Sequence, residues 1–496
     1  MERFEFSKRM IWVAIMLLPS LASVPVKAQE QPIALSLEKA LEIAMSENPT
    51  VKVAEQEIEK KKYAKKGAYA ALFPQLNFGA DYARTLKKQI VYFGESGGFE
   101  SMFTPLITGA EKVITGYVPG YTPGSLAAAI GEASQEASEG SESSDGGMEM
   151  GLSNNWSFGF TAGMPLVNAA LWKSLLISGQ DVELAIEQAR SSKIDMTNQV
   201  KRAYFGVLLA NDSYVVFKES YDNAMKNFLD IEQKYHQGLV AEYDLIRADV
   251  AVKNVEPNML QAENAVRLVK WQLKALLGMD LDLLIECEGR LTDFEPELFG
   301  DYMTTAANAS LDENTNLKQL DIQNEQLKNT LTLQKFDFIP TLSLSAAYNW
   351  NAMNEDYRFK NYKWNPYSMV GVSLSFPIFA GGSRIQKINQ TKVTITQLQL
   401  QKDNLERSLQ LVVRQSLDNM STCVKRYSAA QKGVEQAGRG YRIVQKRYDT
   451  GAGTLLEMND AELAMTQAKL NFNQAIYEYI VAKADLEKIT GKHPHQ

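Results

Sequence analysis

The feature that most constrains this chain is that nearly the same sequence occurs in it twice. Across most of each half the copies match at an offset of 212 or 213 residues, as LKALLG in the first copy does with LEKITG in the second. The start of each half matches at an offset of 266 instead, as Asn48 does with Asn314. The change of offset places 54 extra residues of the first copy between Pro74 and Pro165. A fixed repeat indicates one structural unit used twice, with the insertion in a loop.

Residues 1–28 have the parts of a signal for export. Three basic residues come first, an apolar run of nine residues follows at 10–18, and the segment ends at Ala28 in the small-x-small style of a cleavage site. A membrane anchor is the alternative, but a spanning helix needs about 20 apolar residues. We therefore expect the mature chain to begin near Gln29.

Charge and cysteine content limit the partners and the compartment. Cleavage before Gln29 removes four basic and two acidic residues and moves the formal charge from −7 to −9. Because nucleic-acid binding needs clustered Lys and Arg, we expect no nucleic-acid partner. Cys287 and Cys423 lie 136 residues apart, and we expect both to be small buried residues rather than a disulfide. So few cysteines in an exported chain of this length favour a bacterial envelope.

Two long stretches without proline predict very long helices. In each, apolar residues recur in steps of three and four, with one 3,3 step at the same place in both copies. That rhythm puts them along one seam of a coiled coil. Helices of about 70 residues would be about 100 Å long. In the second copy the seam comprises Val413, Leu417, Met420, Val424, Tyr427, Ala430, Val434, Ala437, Tyr441, Val444 and Tyr448.

The seam in the first copy has identical steps. It comprises Val200, Tyr204, Val207, Asn211, Tyr214, Phe217, Tyr221, Ala224, Phe228, Ile231 and Tyr235. A glycine, Gly238 or Gly451, ends each long helix and a shorter helix returns after it. Helices alone are equally compatible with a rod or tether of the cell envelope, so this alternative stays open.

The middle of each half alternates apolar and small polar residues over nine or ten positions. Strict alternation with aromatic residues at the strand ends is typical of membrane β-strands, with a soluble sheet as the alternative. Four strands are too few to close a barrel, and lipid does not tolerate open edges. The sequence therefore predicts an obligate oligomer that shares its barrel between chains.

These patterns divide the chain into two predicted repeats, residues 29–290 and 291–496. Residues 85–153 form a long loop of the first repeat, and its acidic, Gly- and Ser-rich second half predicts a mobile, solvent-exposed segment. The predicted elements of the first repeat are strands at about 75–84 and 154–163, a long helix at 168–237 and a return helix at 242–277. Those of the second are strands at about 341–350 and 367–376, a long helix at 384–450 and a return helix at 455–489.

This order of elements, present twice, resembles the TolC-like outer membrane factor family over the whole mature chain. The most specific local matches are SLEKALEIAMSENP, FPIFAGGSR and the two turns, YHQGLVAEYDLIRA and YDTGAGTLLEMNDAEL. The resemblance implies a mainly α-helical chain with a membrane β-barrel portion: a homotrimer with a shared 12-stranded barrel in the outer membrane and a coiled-coil α-helical barrel in the periplasm of a Gram-negative bacterium. It implies a passive exit duct of a tripartite efflux or type I secretion system.

The same resemblance implies the partners and the site. A periplasmic membrane-fusion adaptor and an inner-membrane transporter, of the RND or ABC type, would engage the periplasmic end, and outer membrane lipid would surround the barrel. Glu457 and Asp460 match the carboxylates that ring the narrowest point of the pore. An ordinary solvated acidic face is the alternative for this pair. We expect the adaptor to dock on the exposed turn residues Gly238, Leu239, Val240, Gly451 and Thr454.

Polar links between the two turns hold the mouth shut in the family. Asp244 and Tyr448 match such partners, whereas the basic partner of the best-known member falls on Gly453. Arg247, one turn after Asp244, is a candidate substitute. We expect the closed mouth to be held less tightly than in that member, or by contacts between other residues.

Prolines and glycines flank the strands at the expected bend from barrel to tunnel, and the pair Gly381-Gly382 can let the chain bend there. The expected bend residues are Pro74, Pro165, Pro340, Pro377, Gly381 and Gly382.

Signs of chemistry are lacking in the sequence. It has three histidines, no cluster with metal-ligand spacing and no phosphate-binding glycine loop, so we expect a protein that is not an enzyme and needs no metal or cofactor. A non-conducting tether remains the alternative function, and drug, metal and protein export are not distinguished.

Overall fold

The computed structural model describes residues 32–92, 98–118, 120–138, 147–295 and 310–491. The predicted export signal at 1–28 lies outside these residues. The described chain is mostly helical. It divides into two compact units, which are described separately: a first unit of Met1–Glu59, Leu184–Asp321 and Leu400–Gln496, and a second unit of Lys60–Glu183 and Ile322–Gln399.

Two of the helices are very long, as the seams predict. Among the described residues, none of the helices combines the length and the apolar composition that a membrane-spanning helix needs. The helices are α1 (Leu37–Glu47), α2 (Pro49–Ala70), α3 (Gly98–Tyr117), α4 (Ser125–Ser138), α5 (Ala169–His236), α6 (Glu242–Leu277), α7 (Thr315–Phe336), α8 (Ser383–Asp449) and α9 (Leu455–Thr490). The strands are β1 (Ile33–Leu35), β2 (Gln75–Arg84), β3 (Gln89–Tyr92), β4 (Gly147–Met150), β5 (Asn154–Val167), β6 (Ile285–Cys287), β7 (Thr341–Asn354) and β8 (Asn365–Ser375).

The core of the first unit is built on the predicted seams of α5 and α8. The seam residues at the centre of the core are fully or almost fully buried, because packed helices exclude water from their contact line. They are Val200, Tyr204, Val207, Met420 and Tyr427. Cys287 and Cys423 are free and buried in the same core, as predicted, and burial raises the pKa of both thiols.

The parallel pair β1–β6 is fixed to the core by a buried tyrosine. The hydroxyl of Tyr204 lies 3.1 Å from the carbonyl oxygen of Leu35 and 2.7 Å from that of Glu288. Burial raises the pKa of Tyr204 to about 12, so the phenol stays neutral. A neutral donor satisfies buried backbone carbonyls that would otherwise cost free energy.

Two asparagines form matching joints in the first unit. The Asn48 amide nitrogen donates to the carbonyl of Leu276 at 2.7 Å, and that of Asn314 donates to Ile489 at 2.7 Å. Each side-chain oxygen also accepts from backbone N–H groups at the start of the next helix, α2 or α7. One side chain therefore caps one helix and ties it to the end of another.

The second unit contains a four-stranded antiparallel sheet in the order β2-β5-β7-β8. Directly paired residues such as Phe78–Phe160 and Phe160–Tyr348 lie on the same face. One face is therefore apolar and aromatic, and the other carries Ser, Asn, Gly and Thr, as the alternation predicts. The exposed apolar side chains of this sheet include Leu76, Phe78, Phe160, Tyr348, Val370, Val372 and Leu374.

The predicted bend residues lie at one end of this sheet. Pro74 and Pro340 precede β2 and β7, whereas Pro165 lies inside β5, where the register shifts before Val167. Gly381 and Gly382 have φ values of 59° and 78°, which side chains other than glycine rarely adopt. The Arg384 guanidinium donates to the carbonyl of Pro377 at 2.9 Å and covers the start of α8.

The insertion, predicted as a loop, contains regular secondary structure. The described part of residues 85–153 contains α3 and α4 and the short pair β3–β4. The Glu111 carboxylate accepts from the backbone N–H groups of Leu126 and Ala127 at 3.1 and 3.2 Å, so α3 caps the start of α4. The second half of the insertion, whose prediction rested on its acidic, Gly- and Ser-rich composition, also contains several alanines, and alanine is the residue that favours a helix most strongly.

Candidate functional site

The second turn, residues 450–454, closes on itself. Gly451 has a φ of 72°, and the N–H groups of Ala452 and Gly453 donate to the carbonyl of Arg447 at 2.8 and 3.0 Å. A Cβ atom on Gly453 would lie 3.1 Å from the backbone nitrogen of Tyr448. The glycine at this position therefore lets the turn fold tightly against the end of α8.

A capping box begins α9 directly after this turn. The Thr454 hydroxyl accepts from the Glu457 N–H at 3.3 Å, and the Glu457 carboxylate accepts from the Thr454 N–H at 3.2 Å. The Arg447 guanidinium donates to the carbonyl of Ala452 at 3.1 Å and lies 3.8 Å from the Glu457 carboxylate. Glu457 is thus both a cap and one half of an ion pair within the turn.

The two predicted ring carboxylates lie in the first turns of α9. Asp460 is exposed, and Glu457, three residues before it, is half-buried. Residues at i and i+3 share one helix face. The structure therefore brings both carboxylates to one side of α9, with a basic residue, Arg447, beside the first.

The first turn, residues 237–241, has the same backbone path with fewer side-chain contacts. Gly238 has a φ of 73°, and the Leu239 N–H donates to the carbonyl of Lys234 at 2.9 Å. Ala241 caps α6 without any side-chain hydrogen bond. Leu239 is 70 % exposed. This turn therefore exposes an apolar side chain, and no side-chain cap stabilises its conformation.

Two of the predicted gate residues, Asp244 and Tyr448, lie near each other without a direct hydrogen bond. Burial raises the pKa of Tyr448. The positive charge of Lys234 lowers this pKa, and the negative charge of Asp244 raises it further. The ammonium of Lys234 lies 5.8 Å above the Tyr448 ring and also bonds Asp230. Within the described residues Asp244 and Tyr448 share no hydrogen bond, and Arg247 forms no ion pair. The lysine was not predicted from the sequence.

An apolar cluster joins the two turns. Ile231 of α5, Ala248 of α6 and Leu455 of α9 are buried together. Val240, one of the predicted docking residues, and Tyr448 pack against them. The turns are therefore held to each other mainly by apolar contact, which is not directional.

A buried carboxyl near the turns was missed by sequence reasoning. Glu462 of α9 is 8 % exposed, and one of its oxygens has no hydrogen-bond partner within the described residues. Burial raises its pKa to about 7, against a hydrogen bond from Asn223 that lowers it. In the sequence, Glu462 does not differ from the other charged residues of a polar helix. Its burial follows only from the packing of the neighbouring helices.

No group of three or more metal-ligating side chains could hold a metal ion in the described ranges.

The family of this protein follows from its sequence. Residues 126–279 and 306–492, more than half of the chain, match the model of the outer membrane efflux protein family. The chain belongs to this family of channel proteins. It is a protein of the Gram-negative outer membrane, with its helical part in the periplasm.

Particular relatives have modest identity over long alignments. Outer membrane protein TolC of Vibrio cholerae is 22% identical over 342 residues, which cover 68% of this chain and 76% of the relative. The alkaline protease secretion protein AprF of Pseudomonas aeruginosa is 22% identical over 309 residues, 62% of this chain and 64% of the relative.

Solved structures share the fold. The CmeC outer membrane channel of Campylobacter jejuni superimposes with a TM-score of 0.63 at 18% identity, covering 92% of this chain and 85% of that one. The open state of the MtrE outer membrane channel of Neisseria gonorrhoeae gives a TM-score of 0.64 at 14% identity, covering 92% and 88%. At such identities the likeness concerns the fold.

Proposed function

We propose that this chain is the outer-membrane exit duct of a tripartite efflux or type I secretion system, a passive trimeric conduit gated at its two periplasmic turns. The observation that carries the proposal is the four-stranded sheet with one exposed apolar face. Family membership and the likeness to efflux channels support it. On this proposal the protein has no catalytic activity and its partners provide the energy for transport.

The edges of the sheet support a shared barrel. Within the described residues β2 and β8 each pair on one side only. An unpaired strand edge leaves backbone donors and acceptors unsatisfied, and lipid cannot satisfy them. Pairing β8 of one copy with β2 of the next removes every edge if the ring closes. Three copies give a ring of 12 strands, four from each chain, with the apolar face towards lipid.

The two halves of the chain support a tunnel wall of repeated design. Each half has a long helix, a glycine turn and a return helix, and the Asn48 and Asn314 joints are built alike. We assign residues 29–290 and 291–496 to the two repeats. In a homotrimer the long and return helices would then surround the axis as a coiled-coil barrel.

Glu457 and Asp460 support a carboxylate ring at the narrow end. Three copies of α9 around one axis would place six carboxylates together, which attracts cations. Dehydration in a constriction favours uptake of a proton or a metal ion over six free charges. Arg447 beside Glu457 would offset part of this charge in the closed state.

The turns would be both the gate and the docking surface. Asp244, Tyr448 and Lys234 lie where polar contacts between the turns could hold the mouth closed, and Arg247 remains a candidate partner for Asp244. A periplasmic adaptor would dock on the exposed residues Gly238, Leu239, Gly451 and Thr454 and on the half-buried Val240 beside them. The relatives named for TolC and for secretion of alkaline protease support such an adaptor and an inner-membrane transporter of the RND or ABC type.

A conductance experiment tests the duct and its ring together. The mature protein reconstituted in planar bilayers should conduct, and divalent or trivalent cations added on the periplasmic side should block the current. Glu457→Ala with Asp460→Ala should weaken the block, because the binding charges are removed. The matched control, Asp222→Ala with Asp418→Ala, removes two exposed carboxylates of the long helices and should leave the block unchanged.

Three outcomes would contradict parts of the proposal. Unchanged block in the double variant would remove the ring assignment. An equal loss in the control variant would show a general effect of charge. Absence of any conductance in protein that has inserted would favour a tether that bridges envelope layers without conducting.

A further inference from the structure

The loop between β7 and β8 alternates basic and aromatic residues. Residues 358–364 read Arg-Phe-Lys-Asn-Tyr-Lys-Trp, and the cations are Arg358, Lys360 and Lys363. Such alternation in an ordered loop can separate two kinds of side chain onto two sides. The contacts show that it does so here.

The aromatic residues of the loop pack on the apolar face of the sheet. The Phe359 ring centroid lies 5.3 Å from that of Trp156, and the Trp364 centroid lies 5.0 Å from that of Phe158. Tyr362 is 7 % exposed and stacks on Phe359 at 5.5 Å. The loop therefore continues the apolar face at the end of the strands.

Hydrogen bonds brace the loop in this conformation. The Tyr362 hydroxyl donates to the carbonyl of Asp356 at 2.8 Å. The Asp356 carboxylate accepts from the Arg358 N–H and from the Asn361 amide, both at 3.1 Å. Because Asp356 is used in these bonds, its charge serves to hold the loop in place.

The cations of the loop are exposed to water. Arg358, Lys360 and Lys363 are exposed and form no ion pair within the described residues. The other acidic group, Glu355, lies 2.6 Å from Lys88, which lowers the pKa of Glu355. The exposed charge of this loop is therefore positive, in a mature chain with a net charge of −9.

A second basic segment joins the loop at the end of β2. The Arg84 guanidinium donates to the Tyr357 hydroxyl at 2.6 Å and lies 5.3 Å above its ring. The two segments together carry six basic residues against Glu355 and Asp356. The basic rim is defined as Arg84, Lys87, Lys88, Arg358, Lys360 and Lys363.

The basic rim lies at the end of the sheet that faces away from the cell. β2 and β7 begin, and β5 and β8 end, at their helical connections, so both hairpin connections lie at the opposite end. Since the helical part is periplasmic, this opposite end meets the outer leaflet. This step rests on the proposed function, in which the apolar face contacts lipid.

We propose that the basic rim binds the phosphate groups of phosphorylated glycolipid in the outer leaflet. Aromatic rings prefer the boundary between hydrocarbon and headgroups. Lys and Arg directly beyond such rings reach the headgroup phosphates, and Arg can bind a phosphate in a bidentate manner. The braced loop holds its cations in place before the lipid arrives, which reduces the entropy lost on binding.

The test uses diphosphoryl lipid A as the probe and the full mature protein in detergent. Bound lipid A per chain is counted by native mass spectrometry over a concentration series. Arg358→Gln, Lys360→Gln and Lys363→Gln together should weaken binding by roughly ten- to a hundredfold, because each basic residue near an anionic surface is worth roughly a fivefold change. Lipid A without phosphates should bind wild type at least as weakly as diphosphoryl lipid A binds the triple variant, which keeps Arg84, Lys87 and Lys88.

The control removes the same charge from the helical part. Lys425→Gln, Lys432→Gln and Lys446→Gln, all exposed on α8, should bind lipid A like wild type. Equal binding by wild type and the rim variant, or equal binding of the phosphate-free lipid, would overturn the proposal, as would an equal loss in the control.

Conductance of the same preparations tests the duct separately. The rim variant should conduct like wild type. Wild type that does not conduct but still binds lipid A through the rim would overturn the duct alone.

Discussion

The two turns have the same backbone and different side-chain support. Both place a glycine at positive φ, Gly238 or Gly451, and in both the backbone N–H groups of the turn donate to carbonyls at the end of the long helix. The second turn adds a capping box at Thr454. It also has an arginine, Arg447, whose guanidinium donates to the carbonyl of Ala452 in the same turn. The first turn begins its return helix at Ala241 without a side-chain cap.

This difference indicates which turn moves more easily. The second turn keeps its conformation through contacts within residues 447–457, so it can remain intact when its neighbours change. The first turn depends on the apolar cluster around Ile231 and Leu455 and on Lys234 near Tyr448. We therefore expect the first turn to be displaced when the mouth opens, while the second carries the carboxylates as a rigid element.

The largest expected effect concerns the return helices behind the turns. Glu462 and Asp249 lie 213 residues apart, yet Glu462 is buried and Asp249 is exposed. The pKa of Glu462 rises from 4.5 to about 7 on folding, so the folded state binds its proton more tightly than the unfolded chain between these values. Stability then falls as pH rises through this window and is lowest above it.

Glu462→Gln keeps the shape and cannot ionise. It should raise stability at pH 8 by on the order of 3 kcal/mol and change little near pH 5. Melting temperatures at both pH values measure the effect, with Asp249→Asn as the control that should change neither. A Glu462→Gln variant with the same melting temperature as wild type at pH 8 would show that the carboxyl is solvated.

The next effect tests how tightly the second turn is closed. Gly453→Ala places a Cβ atom 3.1 Å from the Tyr448 nitrogen and 3.2 Å from the Arg447 carbonyl carbon, both backbone atoms. The turn should open and lose about 2 kcal/mol, within the range for overpacked sites. Gly440→Ala, in the interior of α8 with open space around it, should instead stabilise by about 1 kcal/mol. Melting of both variants decides this, and a neutral Gly453→Ala would mean that the turn is already loose.

Changing either cap residue should make the two turns more alike. Thr454→Ala removes the hydroxyl that accepts from Glu457 and should cost about 1 kcal/mol. Ala241→Thr supplies a hydroxyl to α6 and should gain about 0.5 kcal/mol or more. Protease cleavage at each turn measures local opening: Thr454→Ala should increase it at the second turn, and Ala241→Thr should reduce it at the first. The opposite pattern would contradict the role given to the cap.

The smallest effect on stability belongs to the ion pair. Arg447 and Glu457 are both about half exposed at 3.8 Å, so Arg447→Gln should change stability by less than about 1 kcal/mol. Cation block of the pore should become tighter, because the carboxylate loses its neighbouring positive charge. Lys446→Gln, an exposed neighbour, is the control for block. Weaker block in Arg447→Gln would mean that the arginine positions Glu457 for cations instead of competing with them.

Much of the fold could be predicted because its signals are periodic. The alternation Leu342, Leu344, Ala346 gives one face of β7, and the register with β8 places Leu374 and Val372 beside it. The steps of three and four along α5 give the buried positions Tyr204 and Val207. Both patterns report packing that repeats along an element, so single exceptions do not hide them.

What could not be predicted depends on single contacts. α3 contains Pro105, and α4 is held by Glu111 from outside its own sequence, so local pattern gave no helix there. At the turns, Arg447 lies beside Glu457 and Lys234 lies over the Tyr448 ring, and the spacing of these residues in the sequence predicts neither contact. The prediction that Glu457 and Asp460 share a face followed from helix geometry, whereas the burial of Glu462 required the neighbouring helices.

The measurement that tests the central proposal most directly is the detergent-corrected mass of the mature protein extracted from outer membranes. The proposed trimer, in which three copies of the four-stranded sheet close one ring, predicts a mass of three chains. A stable monomer that remains folded would contradict the shared barrel and with it the exit duct.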